Sequence, residues 1–362
     1  MDASAHMGYL SPPLVHSRMD YFNFGPQLPF EFGDLRADDD TTTTDHGMST
    51  QARTPVGTPM DGARTSGSAM MSVSTTFHPN AVVDQLPSDL ILVSSDKVYF
   101  HVHCYRILGA SENGFCSLLP SKGQAQGGVT PMITLAEPAD VLNVVIHTIY
   151  NFSASQFMPS FETLEAALGA LVKYGVPINQ CVVSGSSLFA LLLSSAPTRP
   201  IDTFALAGSH ELEDLAVAVS PHLLAYSLPS ITDELARRIG PVYLKRLFFL
   251  HFGRTEALKH LLLHPPNPHM ETPDCDDAQQ GYLTRAWALA STHLIWDARP
   301  NLSTNLLQAT LCSLENGLTC ELCKQSLKER LAQVVADWSA VKNQASDVAI
   351  QMKMDILKAE KQ

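Results

Sequence analysis

Residues 89–119, DLILVSSDKVYFHVHCYRILGASENGFCSLL, change hydrophobic period once, at His103, and that switch restricts the fold more than any other stretch. Leu90 to Val93 is a continuous apolar run, the pattern of a strand buried on both faces. Ser94, Ser95, Asp96 and Lys97 form a polar turn, after which Val98, Phe100 and Val102 alternate with Tyr99, His101 and His103. Ile107, Leu108, Phe115, Leu118 and Leu119 then recur at helical intervals, with Ser111 as a cap between two short helices. A hairpin running straight into a helical pair is a packing unit. It contains no nucleophile, metal set or phosphate loop.

The same residues carry a resemblance. Asp89, the apolar strand, Phe100-His101-Val102-His103, Ile107-Leu108, Ala110-Ser111 and Phe115 fall in the order and spacing of the opening of a BTB (POZ) domain. Gly114 and Cys104 depart from that family's usual residues at their positions. The likeness continues to about residue 195 through Met132-Ile133-Thr134-Leu135, the helix 141–150 and the stretch Leu164 to Val176. The layout as a whole is most similar to the BTB proteins of mushroom-forming (basidiomycete) fungi. The resemblance implies an α+β fold in which short strands meet a cluster of helices, followed by an all-α BACK-like region. It further implies a non-enzymatic adaptor or scaffold that homodimerises and binds proteins such as a cullin, in ubiquitin-ligase or transcription-linked assemblies. On this reading Asp89 and His103 lie near the dimer groove, with Leu90, Leu92 and Phe115 as core or interface. No two-Cys two-His finger or kelch repeat accompanies the head, so any cargo falls to residues 201–345 or to the N-terminal arm.

Around this head the chain divides by composition. Residues 1–84 are rich in Ser, Thr, Gly, Met and Pro and poor in branched apolar residues, so they are expected to be a disordered arm. Within it, Tyr21, Phe22, Phe24, Phe30 and Phe32 form an aromatic cluster that is either a docking motif or unpatterned stickiness; Thr54-Pro55 and Thr58-Pro59 are candidate phosphorylation sites. The head occupies 85–195, with Gly123 to Gly128 as a flexible loop that lacks the Lys-Ser/Thr of a phosphate loop. Pro197 and Pro200 introduce a helical region, 201–345, and 346–362 end a C-terminal helix. Pro241 suits the first position of one of its helices, and His264 to Pro268 should end that helix before an acidic loop at 271–280. In the last helix Leu327, Leu331, Val334, Trp338, Val341, Ala345, Val348 and Met352 keep one apolar seam, which either folds back on the body or pairs with another chain.

A formal net charge of -12 opposes general affinity for nucleic-acid phosphate. No apolar run reaches the roughly 18 residues of a membrane span, and no secretory signal is visible, so cytosol or nucleus is expected. The seven cysteines are then free thiols or metal ligands rather than disulfides. Cys320-Glu-Leu-Cys323 with Cys312 is a metal-like grouping short of a fourth ligand, for which His293 and Cys275 are candidates; a reduced thiol pair and redox exchange are the alternatives. A small zinc-binding or thiol-redox regulator centred on these cysteines is therefore the rival function. His101 and His103 share a strand face, with His103 read as a structural hydrogen bonder, and His260, His264 and His269 crowd a proline-rich loop whose bends oppose a shared ion. Ser184-Gly185-Ser186-Ser187 reads as a helix cap and Glu211, Glu213 and Asp214 as dipole partners at a helix start. No cofactor is called for, and no catalytic residue is assigned.

Overall fold

Strand β3 (Val98–Val102) sits inside a four-stranded sheet and accepts partners on both edges. In the computed structural model, which describes residues 72–119 and 130–345, it pairs antiparallel with β2 (Leu90–Val93), setting Leu92 opposite Phe100. The alternation expected of β3 is present: Val98, Phe100 and Val102 are buried, while Tyr99 and His101 are half-buried. β4 (Met132–Thr134) runs parallel to β2 on its other side. The turn between β2 and β3 closes through Ser94, whose Oγ accepts the Val98 N–H at 2.9 Å. Lys97 takes a left-handed φ of 67° there.

The other edge of β3 corrects the expected start of order. β1 (Ser72–Val73) pairs parallel with β3, the Ser74 N–H donates to the Tyr99 carbonyl, and the His101 N–H donates to the Phe77 carbonyl at 2.8 Å. Phe77 is fully buried against His147 and Tyr150. Residues 72–84 therefore belong to the head, because an open strand edge supplies hydrogen bonds that local composition does not reveal. The arm's aromatic cluster, its Thr-Pro pairs and the 123–128 loop lie outside the described residues.

Helix α1 (Cys104–Ala110) follows at once, and Asp89 Oδ1 accepts its first N–H, that of Cys104, at 2.7 Å. The second short helix expected after Ser111 is instead a turn with left-handed φ at Gly114, Phe115, Cys116 and Ser117. Ser111 still caps it, accepting the Phe115 N–H at 2.7 Å and donating to the Tyr174 carbonyl at 2.6 Å. Left-handed residues other than Gly cost roughly 1–2 kcal/mol each. Complete burial of Phe115, stacked on Tyr174 with centroids 4.2 Å apart, opposes that cost.

Helices α2 (Ala139–Ile149) and α3 (Phe161–Lys173) cover the sheet, followed by α4 (Ile178–Cys181), α5 (Ser187–Ser194), α6 (Pro200–Ser209), α7 (Glu213–Val219) and α8 (Asp233–Ile239). One continuous hydrophobic core joins Phe77 to Leu247 and so crosses the composition boundary at 195–201. Gly208 explains how closely α6 and α8 approach: a Cβ there would stand 2.3 Å from the Ile239 carbonyl oxygen. α9 (Pro241–Leu263) starts at its proline as expected and runs on into a second core. That core holds Leu258, Leu262, Trp287 and Trp338 and is enclosed by α10 (Asp277–Trp296), α11 (Thr304–Cys312) and α12 (Glu321–Ala340). The seam residues Leu327, Leu331, Val334 and Trp338 are buried in it, so this part of the seam folds back on the chain's own body. The helix ends at Ala340, Ala345 is buried beyond it, and Val348 and Met352 lie outside the described residues. No helix among the described residues is long and apolar enough to cross a membrane.

Candidate metal centre and docking flank

The link between α9 and α10 is rich in proline and should be loose, yet side chains of α12 hold it. Arg330 donates to the Leu261 and His264 carbonyls at 2.7 and 3.0 Å, and the Ser326 hydroxyl donates to the Asn267 carbonyl at 2.6 Å. Gln280 of α10 accepts the His269 N–H at 3.0 Å. A tight turn in which Thr272 and Cys275 exchange backbone hydrogen bonds brings the chain back, and Asp276 caps α10 with a capping box. The acidic loop is thus shorter than expected, since α10 begins at Asp277.

These constraints aim His269 and Cys275 at the start of α12, where Cys320 is the N-cap residue and Cys323 lies in the first turn. The four ligating atoms of His269, Cys275, Cys320 and Cys323 all lie within 4.8 Å of one another. Cys275 Sγ is 3.7 Å from Cys323 Sγ, and His269 Nε2 is 3.4 Å from Cys320 Sγ and 3.3 Å from Cys323 Sγ. Cys275 and Cys323 are buried, and the sulfurs are free thiols. Backbone N–H groups of Cys323 and Leu322 pull the Cys320 thiol down to about 7, against burial, while burial and the neighbouring Cys275 push Cys323 up to about 12. An open cleft of about 390 Å³ between Tyr282, Arg285 and Gly317 leads to the three cysteines.

Two of the three cysteines grouped from the sequence lie in this cluster. Cys320 and Cys323 take part; Cys312 does not, because it ends α11 as an exposed side chain outside the group. Of the two candidates for a fourth ligand, Cys275 is present and His293 is an exposed residue of α10 outside the group. His269 was masked by its neighbours: His260 and His264 are exposed, and only His269 is turned inward past the prolines. The signal that could have found it is a His-x5-Cys pair upstream of the Cys-x2-Cys pair.

Other polar residues singled out in the sequence serve the fold. His103 Nε2 lies 2.7 Å from the Leu86 carbonyl, so it carries the proton, and Nδ1 accepts from the Tyr150 hydroxyl at 2.8 Å. Tyr150 in turn accepts the His103 backbone N–H at 2.7 Å. Ser186 caps α5, Glu213 and Asp214 occupy the first turn of α7, and Glu213 pairs with Arg246. His101 and His103 join no metal-ligand group among the described residues.

Of the five residues expected near a dimer face, Leu90, Leu92, His103 and Phe115 are interior, and the exposed Asp89 has its carboxylate engaged by α1. Those four are core rather than contact surface. Exposed apolar side chains occur nearby instead. Val82 is 94% and Leu86 59% exposed, and Asp84 between them ties their loop to α1 by bonding Tyr105 and Arg106. Tyr105 is itself 46% exposed, and its hydroxyl's bond to Asp84 places its ring beside this loop. No protein-family model, curated protein or solved structure matches this chain.

Proposed function

We propose that the chain is a non-enzymatic protein-interaction protein of BTB type, a homodimerising adaptor or scaffold whose head docks through the flank formed by Val82, Leu86 and Tyr105. One contrast supports this reading. The head's notable polar side chains, Asp89, His103, Ser111 and Tyr150, are consumed by backbone and capping hydrogen bonds, while large apolar groups on one flank remain in water. Buried polar groups engaged in the fold serve packing, and an exposed apolar patch marks an association surface. A cullin scaffold, and ubiquitin-ligase or transcription-linked assemblies, are the contexts that follow from the resemblance.

Light scattering of the full chain over a range of concentrations tests the proposal. The expected result is a dimer that a Val82→Asp, Leu86→Asp double variant converts to monomer with unchanged circular dichroism. A wild-type monomer at every concentration would refute it.

A further inference from the structure

We propose that His269, Cys275, Cys320 and Cys323 bind one zinc ion in a closed, structural site that ties the α9–α10 link to the start of α12. Zinc–sulfur bonds of about 2.3 Å and zinc–nitrogen bonds of about 2.0–2.1 Å give a tetrahedron with S···S edges near 3.8 Å and S···N edges near 3.6 Å. The observed separations of 3.7, 3.4 and 3.3 Å are those edges to within a few tenths of an ångström. A disulfide would need sulfurs about 2.05 Å apart and would leave the third cysteine and the histidine unused.

The histidine is set in the form a metal requires. Its Nδ1 lies 2.7 Å from the Met270 carbonyl, which can only accept, so Nδ1 carries the proton and Nε2 presents its lone pair to the sulfurs. Binding then displaces three thiol protons to solvent and forms three Zn–S bonds and one Zn–N bond, with no change of oxidation state. The set carries a net charge of −1, and the first-turn N–H groups of α12 face it.

The donor set also selects the ion. Three soft sulfurs and one imidazole at tetrahedral spacing suit zinc over magnesium, calcium or manganese, which prefer oxygen. Four atoms within 4.8 Å enclose a single ion, not an iron–sulfide cluster. Four protein ligands leave no open position for water or substrate, which makes the site structural rather than catalytic. Zinc binding at this site does not depend on whether the head dimerises.

Metal analysis and native mass spectrometry of the full chain supply the test, with zinc release followed as a mercurial titrates the thiols. One zinc per chain is expected, retained in Cys312→Ser and lost in Cys323→Ser. Because Cys323 is buried and its replacement perturbs the core, two further measurements carry the proposal. The cobalt-substituted wild type should show sulfur-to-cobalt charge-transfer and tetrahedral d–d absorption, and His269→Cys should keep the metal while shifting those bands. A zinc-incubated chain that stays metal-free, a Cys275–Cys323 disulfide in the purified protein, or loss of the metal in Cys312→Ser would overturn the assignment.

Discussion

Gly208→Ala separates two opposing effects and tests how closely α6 packs on the end of α8 in the first core. Gly208 lies inside α6, where replacing Gly by Ala gains about 1 kcal/mol in helix propensity. At Gly109 and Gly169 an added Cβ meets nothing within 4 Å, so Ala there should stabilise by about 0.5–1 kcal/mol. At Gly208 the Cβ would stand 2.3 Å from the Ile239 oxygen and 3.1 Å from its carbonyl carbon. Ordinary contact begins near 3.4 Å, so the end of α8 must retreat by about 1 Å from a fully buried Ile239. Overpacking of a tight core costs about 1–3 kcal/mol, occasionally more, and here the obstacle is backbone, which cannot rotate away. Taking about 3 kcal/mol and subtracting the propensity gain leaves a net loss of about 2 kcal/mol. Denaturant unfolding followed by far-UV circular dichroism reads it directly. Of the three tryptophans, Trp287 and Trp338 are buried in the second core and Trp296 is exposed, so the fluorescence change on unfolding follows the second core. The circular dichroism midpoint should fall, with the tryptophan midpoint moving less. A Gly208→Ala variant as stable as Gly169→Ala would refute the packing of α6 against α8.

Two other perturbations address the head. Phe115→Ala removes a fully buried ring stacked on Tyr174 and should cost about 3–5 kcal/mol in urea unfolding; a loss under about 1 kcal/mol would place the ring outside the core. His147 is held below its ordinary value of 6.5 by burial, against the pull of the Asn143 carbonyl, which accepts from Nδ1 at 2.7 Å. Its Nε2 has no hydrogen-bond partner, so protonation would place an unmatched N–H in the core. The unfolded chain takes up this proton first: stability is level above about pH 6.5 and declines below it, by at most about 1.4 kcal/mol per pH unit for each such group. Because His251 is lowered by burial as well, the measurement is a difference, and His147→Phe should reduce the acid slope relative to wild type. Equal slopes would show that His147 does not titrate in this way.

What the sequence made legible follows from the range of the interactions involved. The hairpin, α1, α2, α3, the start of α9 at Pro241 and the buried seam of α12 are written in local period and capping chemistry, and each was readable. Residues 72–84 were not, because a single Phe77 in a Ser/Thr-rich stretch carries no period; its order comes from the unpaired edge of β3. The turn at 114–117 was misread for a related reason. Phe115 has helical spacing from α1, but the anchoring of Glu112 and Asn113 on the end of α3 imposes the opposite hand. In the metal centre, Cys320 and Cys323 were visible as a local pair. His269 and Cys275 lie about fifty residues away in sequence, and the clamp of α12 on the proline-rich link, with Gln280 and the Thr272–Cys275 turn, brings the two halves together.

The second core shows why such a clamp would be reinforced by a metal. It is the smaller of the two hydrophobic clusters, and its α9–α10 link has little apolar surface of its own to bury. At its far end Arg254 does the joining: its guanidinium lies 4.3 Å from the Trp338 ring and donates to the Pro300 and Val341 carbonyls at 2.6 and 2.7 Å. Beyond it, the Ala345 N–H donates to Ser220, which ties the end of the described chain to the first core. At the end near Cys320, Cys275 and Cys323 are the buried contacts between the link and α12, and Arg330 and Ser326 add hydrogen bonds to the exposed His264 and Asn267 carbonyls. Exposed hydrogen bonds contribute only about 0.5–1.5 kcal/mol each, whereas structural zinc supplies about 10 kcal/mol or more in small domains. An ion at that end closes the 45-residue path from Cys275 to Cys320, placing its constraint where hydrophobic burial is least able to act.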